Sequence, residues 1–364
     1  MNQRATDTLL LVSVLALLSI GIIMVYSTSS IIALKFYQDE YYFLKKELIY
    51  AVLGIILILT FARIPYQYLG KKAHLILFLS FLALILVLIP GIGVCIGGSR
   101  RWVHFGPLSL QPAEFAKLGL VIYLSYFIYK KQDHIKTLST GFLPPLIITG
   151  ILSVLVLLQP DFGTTFLLVS LLFILLFIGG ARIRYLLLVI IAFGGLGSLL
   201  VLKSPYRLER VMTFLDPWKD PTGAGFQIIQ SFIAFGTGGV FGQGLGNGKQ
   251  KLFYLPEAHT DFIFSVLGEE LGLLGVLAVI SLFSIVIFCG IKISLRSRDL
   301  FGTYLSIGII SLIGLQAIVN MGVVMGMLPT KGTTLPFISY GGTSLMVNMI
   351  ATGILLNISS QSRT

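Results

Sequence analysis

Charge is what this sequence is short of. Asp, Glu, Lys and Arg make up 11% of its 364 residues, where a soluble domain carries about a quarter, so there is too little polar side chain to solvate a globular surface. Cysteine is scarcer still. Cys95 and Cys289 are the only two, each in or beside an apolar segment, which argues against a disulfide framework or thiolate metal site and predicts two small buried hydrophobes. Acids are outnumbered by bases, 15 to 26, yet the basic residues are scattered among short loops and never interleave with aromatics in a run, so nucleic acid is not the expected partner. Nucleotide motifs are missing too. "GTGGVFGQGLGNGKQK" is rich in glycine, but Gln243, Lys249 and Gln250 depart from a Walker loop, and no strand–helix unit surrounds it as a dinucleotide fold requires.

Hydrophobic residues are abundant, at 56% with a mean hydropathy of +0.94. Crossing a bilayer takes about 20 apolar residues, and such runs lie near 8–27, 48–63, 73–91, 113–129, 141–159, 162–180, 184–202, 262–291, 302–327 and 342–358. The expected fold is an all-α, polytopic membrane protein of ten spans, one domain over 1–364. The first run lacks an A-x-A cleavage site after it and reads as an uncleaved helix, so both termini share a side. Half of the 26 basic residues fall in the tails and loops of that side, with only Asp7, Asp133 and Asp299 among the acids. That bias puts both termini in the cytoplasm. The long loop at about 203–261 is then external. It carries apolar content of its own, including the helix-like "FQIIQSFIAFG", and a loop of that kind is usually functional.

Several motifs gather beside the outer ends of spans. In "GGSRRWVHFGPLSLQPAEFAK", Arg100, Arg101 and Trp102 suit interfacial anchoring. Glu114 and Lys117, spaced i, i+3 inside an apolar helix, need either each other or a substrate, since ionisable groups in a membrane are costly. In "LLQPDFGTTFL", Pro160 and Gly163 break the chain and Asp161 is placed to cap the next helix. "LPTKGTTLPFISYGGTSLM" brings Lys331, Ser339, Tyr340 and paired glycines to a shaped turn, tolerated at membrane depth only when buried or lining a cavity. The glycine-rich stretch reads either as a flexible re-entrant turn or as backbone amides that, with Lys249 and Lys251, meet a lipid-linked phosphate. "LPEAHTDFIFSVLGEELG" sets Asp261 at the first turn of a helix, Glu269 eight residues on near the same face and Glu270 one step round. Capping accounts for one acid; the others point to a polar cavity opening outward.

Taken together, "LERVMTFLDPWKDPTGAGFQIIQS", "YLPEAHTDFIFSVLGEELG", "LPTKGTTLPFISYGG" and "GSRRWVHFG…QPAEFAK" resemble the SEDS family (shape, elongation, division and sporulation) over nearly the whole chain. The likeness is nearer to its cell-division branch than to its elongation branch. Thr343 stands where the family often has Ser, a change that keeps the hydroxyl. The resemblance implies a peptidoglycan glycosyltransferase of the bacterial plasma membrane and division septum that polymerises lipid II, with the catalytic aspartate at Asp261. It implies a class B penicillin-binding protein and divisome proteins as partners; the rival implied role is a lipid II flippase. Candidate substrate-binding residues are Arg100, Arg101, Glu114, Lys117, Lys249, Lys251, Glu269, Lys331 and Ser339. No cofactor is called for, and a divalent cation, Mg or Mn, is left open.

Overall fold

The computed structural model describes residues 3–362 apart from 97–98, 107, 204, 224, 253 and 330–331. Lys331 therefore lies outside the described residues. The chain forms α1 (Gln3–Tyr37), α2 (Tyr42–Arg63), α3 (Tyr66–Lys71), α4 (Ala73–Leu88), β1 (Gly93–Ile96), β2 (Ser99–Phe105), β3 (Leu108–Leu110), α5 (Pro112–Lys130), α6 (Leu143–Leu157), α7 (Phe162–Ile178), α8 (Ile183–Leu202), α9 (Pro205–Leu215), α10 (Phe226–Gly238), α11 (Ile263–Leu295), α12 (Leu300–Val324) and α13 (Gly342–Gln361). Each of the ten apolar runs holds one long helix: α1, α2, α4 to α8 and α11 to α13. Five segments are long and apolar enough to span by length and composition alone, 4–37, 138–157, 263–295, 300–324 and 342–361. The others are shorter or carry charge near an end, as α2 does with Lys45, Lys46 and Glu47.

Local chemistry sets the helix ends. The Asp161 side chain caps α7 by accepting from the Thr164 N–H, and Asp299 caps α12 by accepting from Gly302. Pro112 opens α5, where a missing N–H costs nothing. α2 lies along α13, α1 along α11, and α12 is wedged between α5 and α11, so α12 and α13 are buried along most of their length. The outward faces of α2, α4 and α8 expose Ile56, Phe78 and Ile191. That polarity suits a lipid surround, which leaves helices to be held by van der Waals packing and interhelical hydrogen bonds.

Two features depart from expectation. The stretch 93–110 is a three-stranded antiparallel sheet in the order β1-β2-β3. It is fastened to the bundle where Tyr50 of α2 accepts from the Ser109 N–H and Thr343 of α13 donates to the Ser109 carbonyl. Cys95 consequently sits exposed on β1, whereas Cys289 is buried in α11. The second feature is a break in α11 at Gly272 (φ 65°, ψ −165°). The carbonyls of Glu269 and Glu270 accept from the N–H groups of Gln243 and Gly244, and the N–H groups of Leu273 and Leu274 donate to the carbonyls of Gly239 and Val240. The glycine-rich loop thus fills the gap in the helix ladder, as a backbone break at membrane depth requires. A Cβ on Gly272 would stand 2.3 Å from the Gly242 nitrogen, so the approach demands glycine.

Candidate active site

Seven charged side chains are buried among the described residues: Glu47, Glu114, Lys117, Asp161, Lys251, Glu269 and Glu270. Each lies within the first eight residues of α2, α5 or α11, at the cap of α7, or in the loop before α11. These helix starts share one end of the bundle, because hydrogen bonds cross between them there.

Asp261 stands at that end, partly buried, just before α11. Three successive carbonyls hold it. Tyr340 N–H donates to the His259 carbonyl, Ser339 Oγ to that of Thr260, and Asn320 Nδ2 to that of Asp261 itself at 2.9 Å. Ser339 also accepts from the Leu335 N–H, so this serine braces the turn. Opposite lies Gly332, where a Cβ would come within 3.0 Å of Asp261 Oδ2, and a Cβ on Gly163 would meet the Gly332 carbonyl at 3.3 Å. The carboxylate, the segment 332–334 and the start of α7 therefore line one narrow space.

Below that space runs a polar chain. Lys117 Nζ donates to Glu114 Oε1 at 2.8 Å and to Gln316 Oε1 at 3.1 Å. Gln316 Nε2 in turn reaches the Thr334 carbonyl and hydroxyl and Ser344 Oγ. The structure thus contains the ion pair and also ties it to the turn beside Asp261. On the other flank Arg101, from β2, donates through Nε to the Gln159 carbonyl and through Nη2 to the Pro160 carbonyl, with Nη1 4.0 Å from Asp161 Oδ2. It stitches the sheet to the break between α6 and α7. Arg100 is half-buried on β2, across from Cys95.

The glycine-rich loop uses its amides on the protein's own carboxylates. Glu269 accepts from the N–H groups of Lys249 and Gln250, and Glu270 from Gly246 N–H, from Ser27 Oγ of α1 and from Lys251 Nζ at 2.7 Å. Lys251 and Glu269 therefore have internal partners. Lys249 alone of the loop's two lysines leaves its side chain exposed. His259, outside the spans, lies against Phe43 and Tyr340 with ring centroids at 4.9 and 5.8 Å; burial pushes its pKa below the ordinary value while Glu257 pulls it back up.

Buried side-chain atoms without a protein partner include Asn320 Oδ1 and Thr333 Oγ1, on residues joined to the Asp261 segment and to Gly332, and Glu114 Oε2 and Asn348 Oδ1, on the polar chain that runs to Ser344. Others, such as Thr149 Oγ1 and Ser306 Oγ, lie elsewhere among the described residues. Buried polar groups are normally satisfied, so the open acceptors on Asn320 and Thr333, next to Asp261, could each take a hydrogen bond from a polar molecule. Among the described residues no three His, Cys, Asp or Glu side chains group as a metal site. Sequence reasoning passed over Ser27, Gln316 and Asn320. A signal for the last two exists, since amides four residues apart lie on one face of an otherwise apolar span.

Known proteins resemble this chain over nearly its whole length. The family described as "Cell cycle protein" (FtsW, RodA, SpoVE) matches residues 7–364. A probable peptidoglycan glycosyltransferase FtsW of Geobacter metallireducens is 47% identical over 98% of this chain and 95% of its own length. Stage V sporulation protein E of Bacillus subtilis is 44% identical over 100% and 99%. Among solved structures, a chain of a peptidoglycan synthase complex coordinating polymerization and crosslinking superposes with a TM-score of 0.80 at 30% identity, covering 97% of each chain.

Proposed function

The chain belongs to the FtsW, RodA and SpoVE family of cell cycle proteins, and we propose that it is a peptidoglycan glycosyltransferase in which Asp261 is the general base for polymerising lipid II. The acceptor sugar's 4-hydroxyl attacks the anomeric carbon of the donor. The new glycosidic C–O bond forms as the bond from that carbon to undecaprenyl pyrophosphate breaks, and the hydroxyl proton passes to the Asp261 carboxylate. Pyrophosphate leaves readily, so the second carboxylic acid of a glycosidase is not required. Positive charge near the leaving group matters more, and Arg100, Arg101 and Lys249 are its described candidates. Glu114 and Lys117 support the site floor through Gln316.

The observation that carries this reading is the Asp261 carboxylate packed against Gly332 in a narrow space flanked by the open acceptors of Asn320 and Thr333. Transport across the membrane is the competing role. A flippase must pass a polar headgroup through the full depth of the bundle, whereas the buried charges here stop within two to three turns of one end.

The reading extends to partners and place. A class B penicillin-binding protein would crosslink the glycan, in keeping with the synthase complex whose chain superposes on this one. Divisome proteins would bring the pair to the septum, with both termini in the cytoplasm and Asp261 facing outward. The test is polymerisation of labelled lipid II by purified protein together with its partner, whose own glycosyltransferase activity is excluded. Asp261→Asn should keep protein yield and partner binding and lose about 10²–10⁴ in rate. Undiminished polymer from that variant would remove the assignment.

A further inference from the structure

Asp261 lies outside regular helix, in the turn leading into α11, so what fixes its backbone contributes to the direction of its carboxylate. Of the three residues that hold this segment, Ser339 and Tyr340 bind the peptides of Thr260 and His259. Asn320 holds the peptide of Asp261 itself. Its one amide group spends both protons: one goes to the Asp261 carbonyl at 2.9 Å, the other to the Thr333 carbonyl. Thr333 follows Gly332, the residue packed against Asp261 Oδ2. A single side chain on α12 therefore joins the two walls of the narrow space in which the carboxylate sits.

We infer that Asn320 is a positioning residue of the glycosyl transfer, setting the orientation of the Asp261 carboxylate by clamping the Asp261 and Thr333 carbonyls to α12. The inference rests on Asp261 being the base. Chemistry favours asparagine at this position: a carboxylate has no proton for either carbonyl, an alkyl group would remove both bonds, and glutamine has the protons on a longer arm. Asn320 is 1% exposed, yet its Oδ1 accepts nothing from the protein.

A positioning residue has a signature that a merely structural one lacks. With Asp261 present, Asn320→Ala should lower kcat about 10²-fold, the effect of misplacing a reacting group by ~1 Å, while KM for lipid II stays within a few-fold. The acidic limb of the pH–rate profile, which reports the base, should move. On an Asp261→Asn background the same substitution should cost nothing further, because the group it acts through is gone. Asn320→Asp, an isosteric change, serves if Asn320→Ala is not recovered as monodisperse protein. Multiplying losses in the double variant, an unmoved pH profile, or wild-type rates from both Asn320 variants would overturn the inference while Asp261→Asn remained inactive. Full activity of Asp261→Asn would instead overturn the base assignment, and this inference with it.

Discussion

Lys251→Met tests whether the glycine-rich loop is held by a buried ion pair or offers its lysine to substrate. Lys251 Nζ lies 2.7 Å from Glu270 Oε1 and 2.9 Å from Ser27 Oγ, and the two charged side chains are 5% and 0% exposed. Removing the ammonium deletes two charge-assisted bonds, each worth about 1.5–3 kcal/mol. It also strands a carboxylate in the interior, and breaking a buried pair in this way typically costs about 3–5 kcal/mol. With an unfolding entropy of ~2.1 cal/mol/K per residue, ~3 kcal/mol in a chain of 364 residues lowers Tm by about 4 °C. Spanning helices keep much of their backbone pairing when a membrane protein denatures, so the entropy is smaller and that figure is a lower bound. The assay is thermal unfolding of the purified protein in detergent. Lys251→Met combined with Glu270→Gln should melt higher than Lys251→Met alone, since the amide still accepts from Ser27 and Gly246 without an unpaired charge. If Lys251→Met leaves Tm unchanged and raises only KM, the lysine serves the substrate and the structural reasoning fails.

Gly332→Ala places a methyl group 3.0 Å from Asp261 Oδ2; polymerisation should fall by about 10-fold or more while protein yield holds, and wild-type turnover would show that the space is wider than described. His259 has a folded-state pKa held below its ordinary value of 6.5, so the folded state binds fewer protons than the unfolded one and stability should be lost as pH falls below about 6.5. His259→Phe should flatten that part of a Tm-against-pH curve, and an unaltered curve would assign the dependence to other groups. For topology, cysteines introduced at Lys71 and Arg296 should resist a membrane-impermeant thiol reagent on intact cells while those at Lys219 and Lys249 react. All four positions are exposed, and labelling at 71 would invert the orientation.

The ten long helices were legible because each rests on a local property, an apolar run long enough to cross a bilayer, that nothing distant can cancel. Asp161 was legible as a cap for the same reason: the Thr164 amide it serves is three residues away. The sheet at 93–110 was not. In Ser99–Phe105 the two adjacent arginines interrupt the alternation of a strand, and Tyr50 and Thr343, the anchors that hold the sheet at Ser109, come from opposite ends of the chain. The roles of Lys251 and Glu270 were hidden by a sequence separation of 243 residues between Glu270 and Ser27. Spacing placed Glu269 and Glu270 one step apart on a helix, but it could not reveal that loop amides already occupied their oxygens. Glu114 and Lys117 show both sides: i, i+3 spacing brought them together, while Gln316, which links them to the Asp261 turn, comes from another helix.

The break at Gly272 has a mechanical meaning. It divides α11 into 263–271, next to Asp261, and 273–295, whose 23 residues measure about 35 Å against a hydrocarbon core of about 30 Å. The longer rod must tilt to fit, and tilt follows bilayer thickness. A continuous helix would swing its outer end with every such adjustment and drag the carboxylate along. Here the outer piece is bonded to the loop at 239–251 and, through Glu270, to Ser27 of α1, while Leu273 and Leu274 of the longer rod bond to the same loop, so the outer piece is held by contacts of its own and not only by the rod's helix ladder. Polymerisation rates measured in lipids of graded acyl-chain length should accordingly stay level, and a steep dependence on thickness would show that tilt of the rod reaches the carboxylate.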